Sequence, residues 1–356
     1  MSDMRRAALA VIATLVLGPG LALAGERLPV HVGGRVVAEP DGALRFGWPG
    51  VYFEGRFQGD SVEVAVEAAQ EHLAVSIDGQ VRAELVKPGA ARLSFSGLGP
   101  GQHRVRLDKL TESPEGSARF LGFFAGPGGQ VLPEVTRGRR LEIIGDSHAA
   151  GYGVRGTAFE CTPAQVHDLT DSSLAFGPVL ARRLDADYRI VAFSGRGIVR
   201  NYAGLAPGQP LPALYDRLIP DEAASRVDPA DGWRPQVIVV GLGTNDFSTA
   251  VGPGAAWANA AALRKAYRDG YVAFVTAVAA RQPQARFLLI AGDLFAEDVA
   301  EVARRLDAVA PGLATPVRIT GMVQSACHGH PSVADQALMA DRLQAAITAL
   351  PEGWSR

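Results

Sequence analysis

Between about residues 26 and 128 the chain alternates apolar and polar positions with a period of two. Val62, Val64 and Val66 alternate with Glu63, Ala65 and Glu67, and His103, Val105 and Leu107 alternate with Arg104, Arg106 and Asp108. Leu73-Ala74-Val75-Ser76-Ile77 does the same and runs into Asp78-Gly79, a hairpin turn pair. This period places one face of each strand against a core, and the Gly- and Pro-rich punctuation predicts an all-β sandwich of jelly-roll type. Gly126-Pro127-Gly128-Gly129 and the polar residues after it mark a junction. Beyond Arg139-Arg140 the period changes. Unbroken apolar runs near residues 141–144, 189–193, 237–240 and 287–290 now alternate with stretches of helical spacing. Leu263, Tyr267, Tyr271 and Val275 form one such stripe, and Val299, Val302, Leu306 and Val309 another. A last helix is expected from Pro331 to about residue 350. Strand–helix alternation predicts an α/β domain, a parallel sheet flanked by helices.

Composition narrows the class. The 356 residues are 47% hydrophobic, enough for one large core or two moderate ones. With 35 basic and 37 acidic residues the formal charge is −2, which carries neither a nucleic-acid footprint nor a polybasic membrane patch. Arg5-Arg6, the apolar stretch from Ala7 to Leu17, Gly18-Pro19-Gly20 and Ala22-Leu23-Ala24 read as a secretory signal peptide cleaved after Ala24. The other reading, an uncleaved anchor, is disfavoured by the helix-breaking Gly-Pro-Gly. The expected domains are thus residues 1–24, signal peptide; 25–135, sandwich; and 136–356, α/β. The mature protein is expected in a periplasm or outside the cell, with no stable membrane insertion. In an exported chain the two cysteines, Cys161 and Cys327, predict one disulfide that ties two loops together; the alternative is a pair of buried thiols.

Candidate chemistry sits at the ends of the predicted strands. Gly145-Asp146-Ser147-His148 follows the apolar run ending at Ile144, so the turn lifts the Ser147 hydroxyl to the carboxyl edge of the sheet, where open α/β folds place their sites. A serine hydroxyl needs a base, and His330, in His330-Pro331 before the last helix, is the candidate. Asp146 and Asp246 are expected to hold loop backbone. Cys327-His328-Gly329-His330, with Cys161, offers metal-ligand types, but the familiar zinc spacings are absent, so no metal and no cofactor are expected. His148, beside the candidate nucleophile, is open to two readings, lining the pocket or capping the following helix.

Ser147, then Gly195 in Phe193-Ser194-Gly195-Arg196-Gly197, Asn245 in Gly243-Thr244-Asn245-Asp246, and His330 occur in the order that resembles the SGNH (GDSL-type) hydrolase superfamily. The resemblance implies an oxyanion hole made by the Ser147 and Gly195 backbone N–H groups and the Asn245 amide. It also exposes a departure. The aspartate usual three residues before the histidine is replaced by Cys327, so His330 would be held by a backbone carbonyl, as in some relatives, or by a distant acid such as Asp335. Further segments resemble carbohydrate esterase family 2. They are Leu44-Arg45-Phe46-Gly47-Trp48-Pro49-Gly50, Val75-Ser76-Ile77-Asp78-Gly79, the run from Arg139 to Ser147, Ser194-Gly195-Arg196-Gly197-Ile198-Val199-Arg200-Asn201-Tyr202, Leu242 to Ser248, and His330-Pro331-Ser332. That likeness implies an exported serine esterase that removes acetyl groups from polysaccharides or oligosaccharides of xylan or glucomannan type, with an acylated Ser147. Arg200, Asn201, Tyr202, Trp233 and Phe247, and also Trp257, are the side chains expected to meet the sugar. Two alternatives stay open: an esterase of the same fold acting on other acyl esters (lipase, thioesterase or peptidoglycan O-acetylesterase), and a catalytically weak glycan-binding protein. The oligomeric state is not legible.

Overall fold

The computed structural model describes residues 12–16, 25–113, 116–228 and 230–350. The expected signal peptide therefore lies outside the described residues except for Ile12–Val16, a strand antiparallel to Gly89–Ser96 with Ile12 opposite Ser96.

The described strands between residues 25 and 131, joined by Ile12–Val16, form two antiparallel sheets packed face to face. One runs in the order Ile12–Val16, Gly89–Ser96, Val62–Ala68, Ala118–Ala125, Leu44–Phe46, Val36–Ala38. The other has Tyr52–Gln58, Gln102–Lys109, His72–Ile77 and Gln80–Val86 side by side, with Gln130–Val131 and Val30–Gly33 also on Tyr52–Gln58. The alternation in sequence is the alternation in burial. Val62, Val64 and Val66 are buried while Glu63 and Glu67 are not, and Leu73, Val75, Ile77, Val105 and Leu107 are fully buried. Phe46, Phe53, Phe57, Phe95, Phe120 and Phe123 fill the space between the sheets. The expected hairpin at Asp78-Gly79 is present. Both residues have positive φ, 53° and 79°, the backbone a two-residue type I′ turn needs, and glycine and aspartate tolerate it.

The second half holds a five-stranded parallel sheet in the order Ala186–Ala192, Arg139–Gly145, Val237–Gly241, Arg286–Ala291, Ala314–Arg318. Successive residues face opposite sides. Ile144, Val240 and Leu289 pack with helices Ala260–Arg281 and Ala296–Asp307, whereas Ile143, Val239 and Leu288 pack with Phe176–Leu184 and Val333–Thr348. One strand was not expected from the sequence, and two expectations are corrected. The edge strand Ala314–Arg318 has no apolar run and carries Pro316, which an edge tolerates because it lacks a full set of ladder partners. Val309 lies past the end of its helix and is 86% exposed. The last helix starts at Val333, since Ser332 caps it and exchanges hydrogen bonds with Asp335 in a capping box, which leaves Pro331 outside.

The two domains share buried polar contacts. The Tyr52 hydroxyl donates to Asp187 at 3.1 Å, Arg35 pairs with Glu142 at 3.1 Å, and Arg137 bridges Glu54 (2.6 Å) and Asp187 (2.9 Å). Buried charges paired this way fix orientation, because removing one partner strands the other in low dielectric. Among the described residues no helix is long and apolar enough to cross a membrane.

Candidate active site

Ser147 opens the one-turn helix Ser147–Ala150 at the carboxyl end of the strand Arg139–Gly145. Asp146 caps that turn by accepting from the His148 N–H at 3.1 Å. The Ser147 Oγ lies 2.9 Å from His330 Nε2, and His330 Nδ1 lies 2.9 Å from the Cys327 carbonyl. A carbonyl only accepts, so Nδ1 carries the proton and Nε2 keeps its lone pair toward the serine. Burial, with His148 and His328 alongside, pushes the His330 pKa down to about 4. The ring is therefore neutral at pH 7. Asp335 is not on the imidazole: its carboxylate accepts from Ser332, Val323 and Gln324 N–H groups at the helix cap.

The loop carrying His330 is fastened to the loop after Ser147. Cys161 and Cys327 form a disulfide that closes 166 residues of chain. His328 reinforces it, with its N–H donating to Phe159 O at 2.7 Å and its ring meeting Cys161 O at 2.8 Å and the Tyr152 hydroxyl at 3.0 Å. Gly153 and Gly156 pack onto Cys327; a Cβ on either would come within 2.7 Å of its side chain. With both sulfurs in the disulfide, the metal reading of this motif loses its thiolates. Tyr152 lies over His330, ring centroids 4.2 Å apart, and His148 meets it edge-on at 5.7 Å. Burial pushes the His148 pKa down to about 4 as well.

The expected oxyanion donors differ in readiness. Among the described residues neither the Ser147 N–H nor the Gly195 N–H has an acceptor. Asn245 is buried, and its amide donates to Asp146 Oδ2 at 3.0 Å and to Arg196 O at 2.9 Å, so both of its hydrogens are engaged. Asp246 holds the loop beyond Gly195, accepting from the N–H groups of Ile198, Val199 and Arg200 at 2.9 Å each. Burial raises the pKa of Asp146 to about 7 and that of Asp246 to about 6.

Of the side chains expected at the sugar, Tyr202 stands open at 52% exposure, and its backbone N–H donates to the Gly195 carbonyl at 2.8 Å. Arg200 and Asn201 turn inward. The guanidinium donates to Thr249 O and Oγ1 and to Ala250 O, and the Asn201 amide donates to Leu205, Ala206 and Gln209 carbonyls. They brace the walls of a cavity of about 780 Å³ between residues 199–210 and 249–257, which Trp257 also lines. Phe247 packs on Tyr267 and Phe295 in the core. Trp233 is misplaced by a whole strand length. It stacks under Arg189 and Arg140 at the amino edge of the sheet, opposite to Ser147, because it precedes the strand Val237–Gly241.

Sequence reading missed two contributors. Tyr152 stands five residues beyond Ser147 and was findable only as a large aromatic in a glycine-rich loop. Glu112 comes from the sandwich domain, accepts from Ser194 N–H at 2.6 Å and from its hydroxyl, and so fixes the residue before Gly195. No local pattern marks it, since the contact spans two domains.

Comparison with known proteins follows the same division. Residues 32–134 match the model of the carbohydrate esterase 2 N-terminal domain, and residues 143–346 match that of the GDSL-like lipase/acylhydrolase family. The chain is 39% identical over 326 residues to an acetylxylan esterase/glucomannan deacetylase of Cellvibrio japonicus, covering 89% of each. It is 30% identical over 324 residues to the cellulase/esterase CelE of Acetivibrio thermocellus, covering 87% of this chain and 38% of that one. Among solved structures it superposes with a TM-score of 0.80 and 28% identity on a family two carbohydrate esterase from Clostridium thermocellum in complex with cellohexaose, covering 92% of this chain and all of that one. A second carbohydrate esterase, whose active site is described as having divergent catalytic and non-catalytic binding functions, superposes with a TM-score of 0.86 at 36% identity, again over 92% of this chain.

Proposed function

The chain belongs to carbohydrate esterase family 2, and from that premise we propose that it deacetylates polysaccharides or their oligosaccharides through an acyl-enzyme on Ser147. That it is a carboxylic ester hydrolase of the acetylxylan esterase kind follows from its relatives. The observation that carries the mechanism is the chain of contacts from Ser147 Oγ through His330 to the Cys327 carbonyl. His330 Nε2 takes the hydroxyl proton as Ser147 attacks the acetyl carbonyl. The Ser147 and Gly195 N–H groups, pointed at no other acceptor, receive the oxyanion. Asn245 joins them by sharing the amide hydrogen now directed at Arg196 O. His330 then gives its proton to the departing sugar oxygen, and water, activated by the same ring, releases acetate. The imidazolium has only a carbonyl behind it, which stabilises it less than a carboxylate does, so the dyad depends on Tyr152 and the disulfide-fastened loop to keep the ring in place.

Xylan or glucomannan as the acetylated backbone is supported by the activities for which the Cellvibrio relative is named. Tyr202 and the cavity walled by Trp257 are our candidates for the sugar contacts. Export is supported by the amino-terminal signal pattern and by a disulfide, which oxidising compartments maintain. The test is acetate release from acetylated xylan and glucomannan, with 4-nitrophenyl acetate and butyrate alongside, by the mature protein and by Ser147→Ala. Release from polysaccharide, preference for acetate over butyrate, and loss in the variant are expected. Turnover undiminished by Ser147→Ala would refute the mechanism, and equal use of long acyl chains would move the reading to a lipase or thioesterase. A second reading, that the same face also holds unacetylated β-glucan, is favoured by the cellohexaose-bound relative. Inhibition of ester hydrolysis by cellohexaose tests it.

A further inference from the structure

Outside the Ser147–His330 pair, three metal-ligating side chains meet where the two domains touch. His72 lies on the sandwich strand His72–Ile77, while His167 and Asp168 lie in the last turn of the helix Pro163–Leu169 of the α/β domain. One ligand atom from each falls within 4.8 Å of the others. Asp168 Oδ1 is 3.5 Å from His72 Nε2 and 3.5 Å from His167 Nδ1, and the two imidazoles stand edge to face at 4.9 Å. A tetrahedral zinc ion with ligand bonds of about 2.0–2.1 Å has ligand-to-ligand edges of about 3.3–3.5 Å, which those two separations match.

A second, independent observation points to a ligand. His72 is only 8% exposed, and among the described residues neither its Nε2 nor the buried His167 Nδ1 makes a hydrogen bond, each meeting Asp168 Oδ1 at 3.5 Å and no closer. Buried polar atoms are almost always hydrogen-bonded, so two imidazole nitrogens that converge on one carboxylate oxygen without a hydrogen bond call for an occupant between them. Glu84 and Lys87 act electrostatically on the same ring, but the Glu84 carboxylate is taken by Arg155 at 3.1 Å, so the convergent donors are the three named. Two imidazoles and one carboxylate suit a borderline first-row cation and not the all-oxygen preference of calcium or magnesium. Asp168 is largely exposed, which leaves a fourth position open to water and a path for the ion.

We propose that His72, His167 and Asp168 bind one Zn²⁺ that clamps the β-sandwich to the α/β domain. The ion has no part in the ester chemistry. Its effect is mechanical, because the helix it holds begins two residues after Cys161, whose disulfide carries the loop of His330.

The experiment uses the untagged, full mature protein, stripped with EDTA and passed through a desalting column. Zn²⁺ is titrated calorimetrically and bound metal is counted by mass spectrometry, with Ca²⁺ and Mg²⁺ as controls. The expected result is one Zn²⁺ per chain, with a melting temperature that rises with free Zn²⁺ because only the folded chain brings the three ligands together. His167→Gln and Asp168→Asn change the outer side of the cluster and should leave 4-nitrophenyl acetate turnover intact, which shows that they fold. Each should weaken Zn²⁺ binding by more than the about 10–100-fold that loss of an outer hydrogen-bonding partner costs a metal site. Absence of stoichiometric Zn²⁺ binding by the wild type, or binding retained in either variant, would overturn the proposal.

Discussion

Lowering the pH separates a histidine held by a carbonyl in a buried pocket from an ordinary one. Burial, reinforced by His148 and His328, sets the His330 pKa at about 4, against about 6.5 for an exposed ring. Only the neutral ring can accept the Ser147 proton. At pH 5.5 an ordinary histidine would be ~91% protonated and would leave ~9% of the plateau rate, whereas a pKa of about 4 leaves ~97%. The two cases differ about tenfold at one pH. The assay is kcat/KM for acetate release from a soluble acetylated oligosaccharide between about pH 4 and pH 8, since kcat/KM reports the free enzyme. Stability must be followed in parallel. A histidine whose folded pKa is depressed contributes stability above its unfolded value and loses it as pH falls from about 6.5 toward 4, and His148 behaves in the same way. Circular dichroism at each pH guards against mistaking unfolding for titration. An acid limb centred at or above pH 6 in folded protein would refute the assignment of His330 as a desolvated base.

Three other expectations follow from the same geometry. Glu112→Ala should lower kcat by about 10–100-fold with little change in KM, because Ser194 would no longer fix the Gly195 N–H, and Glu112→Gln should rescue part of the loss. Replacing Cys161 and Cys327 by serine together should lower stability by about 2–4 kcal/mol in urea unfolding and reduce kcat, since the bridge closes 166 residues and its second cysteine supplies the carbonyl on His330. Asp146→Asn should flatten the pH dependence of stability. The folded pKa of Asp146 is raised from 3.8 to about 7, so its contribution is present at low pH and is lost as pH rises through that window, a difference of about 4 kcal/mol measurable by urea titration at about pH 4 and pH 8.

What the sequence disclosed was what local periodicity and strand-end position encode. Val62 to Val66, Leu73 to Ile77 and the stripe Leu263, Tyr267, Tyr271, Val275 bury as their spacing requires, because a strand or helix presents a fixed face wherever it lies. Ser147 and Asn245 were findable because apolar runs end just before them. Two kinds of feature were hidden. An edge strand such as Ala314–Arg318 buries too little to need an apolar run. Side-chain destinations inside loops were also hidden: Arg200 and Asn201 occur in a motif beside Gly195, but the loop has many unpaired carbonyls, and a guanidinium and an amide satisfy them before any substrate arrives. Trp233 failed for a simpler reason, since aromatic character says nothing about which end of a strand a residue precedes.

The sandwich cannot be treated as an appendage to the catalytic domain. A free α/β domain would keep Ser147, His330, Cys327 and Asn245 and would lose Glu112, which reaches Ser194 from across the interface. It would also take Arg35 from Glu142, and Tyr52 and His31 from Asp187, leaving these two buried carboxylates the Tyr215 hydroxyl and Arg137 respectively. In the proposed mechanism His330 has a carbonyl and not a carboxylate behind it, so more of the rate would come from oxyanion donors already in place, and the Gly195 donor is next to the residue that the sandwich's Glu112 holds. On the proposed mechanism, Glu112 both joins the domains and positions the Gly195 donor. Residues 136–350 expressed alone should fold poorly, and any folded fraction should lose kcat far more than a Ser147-independent probe of structure would suggest.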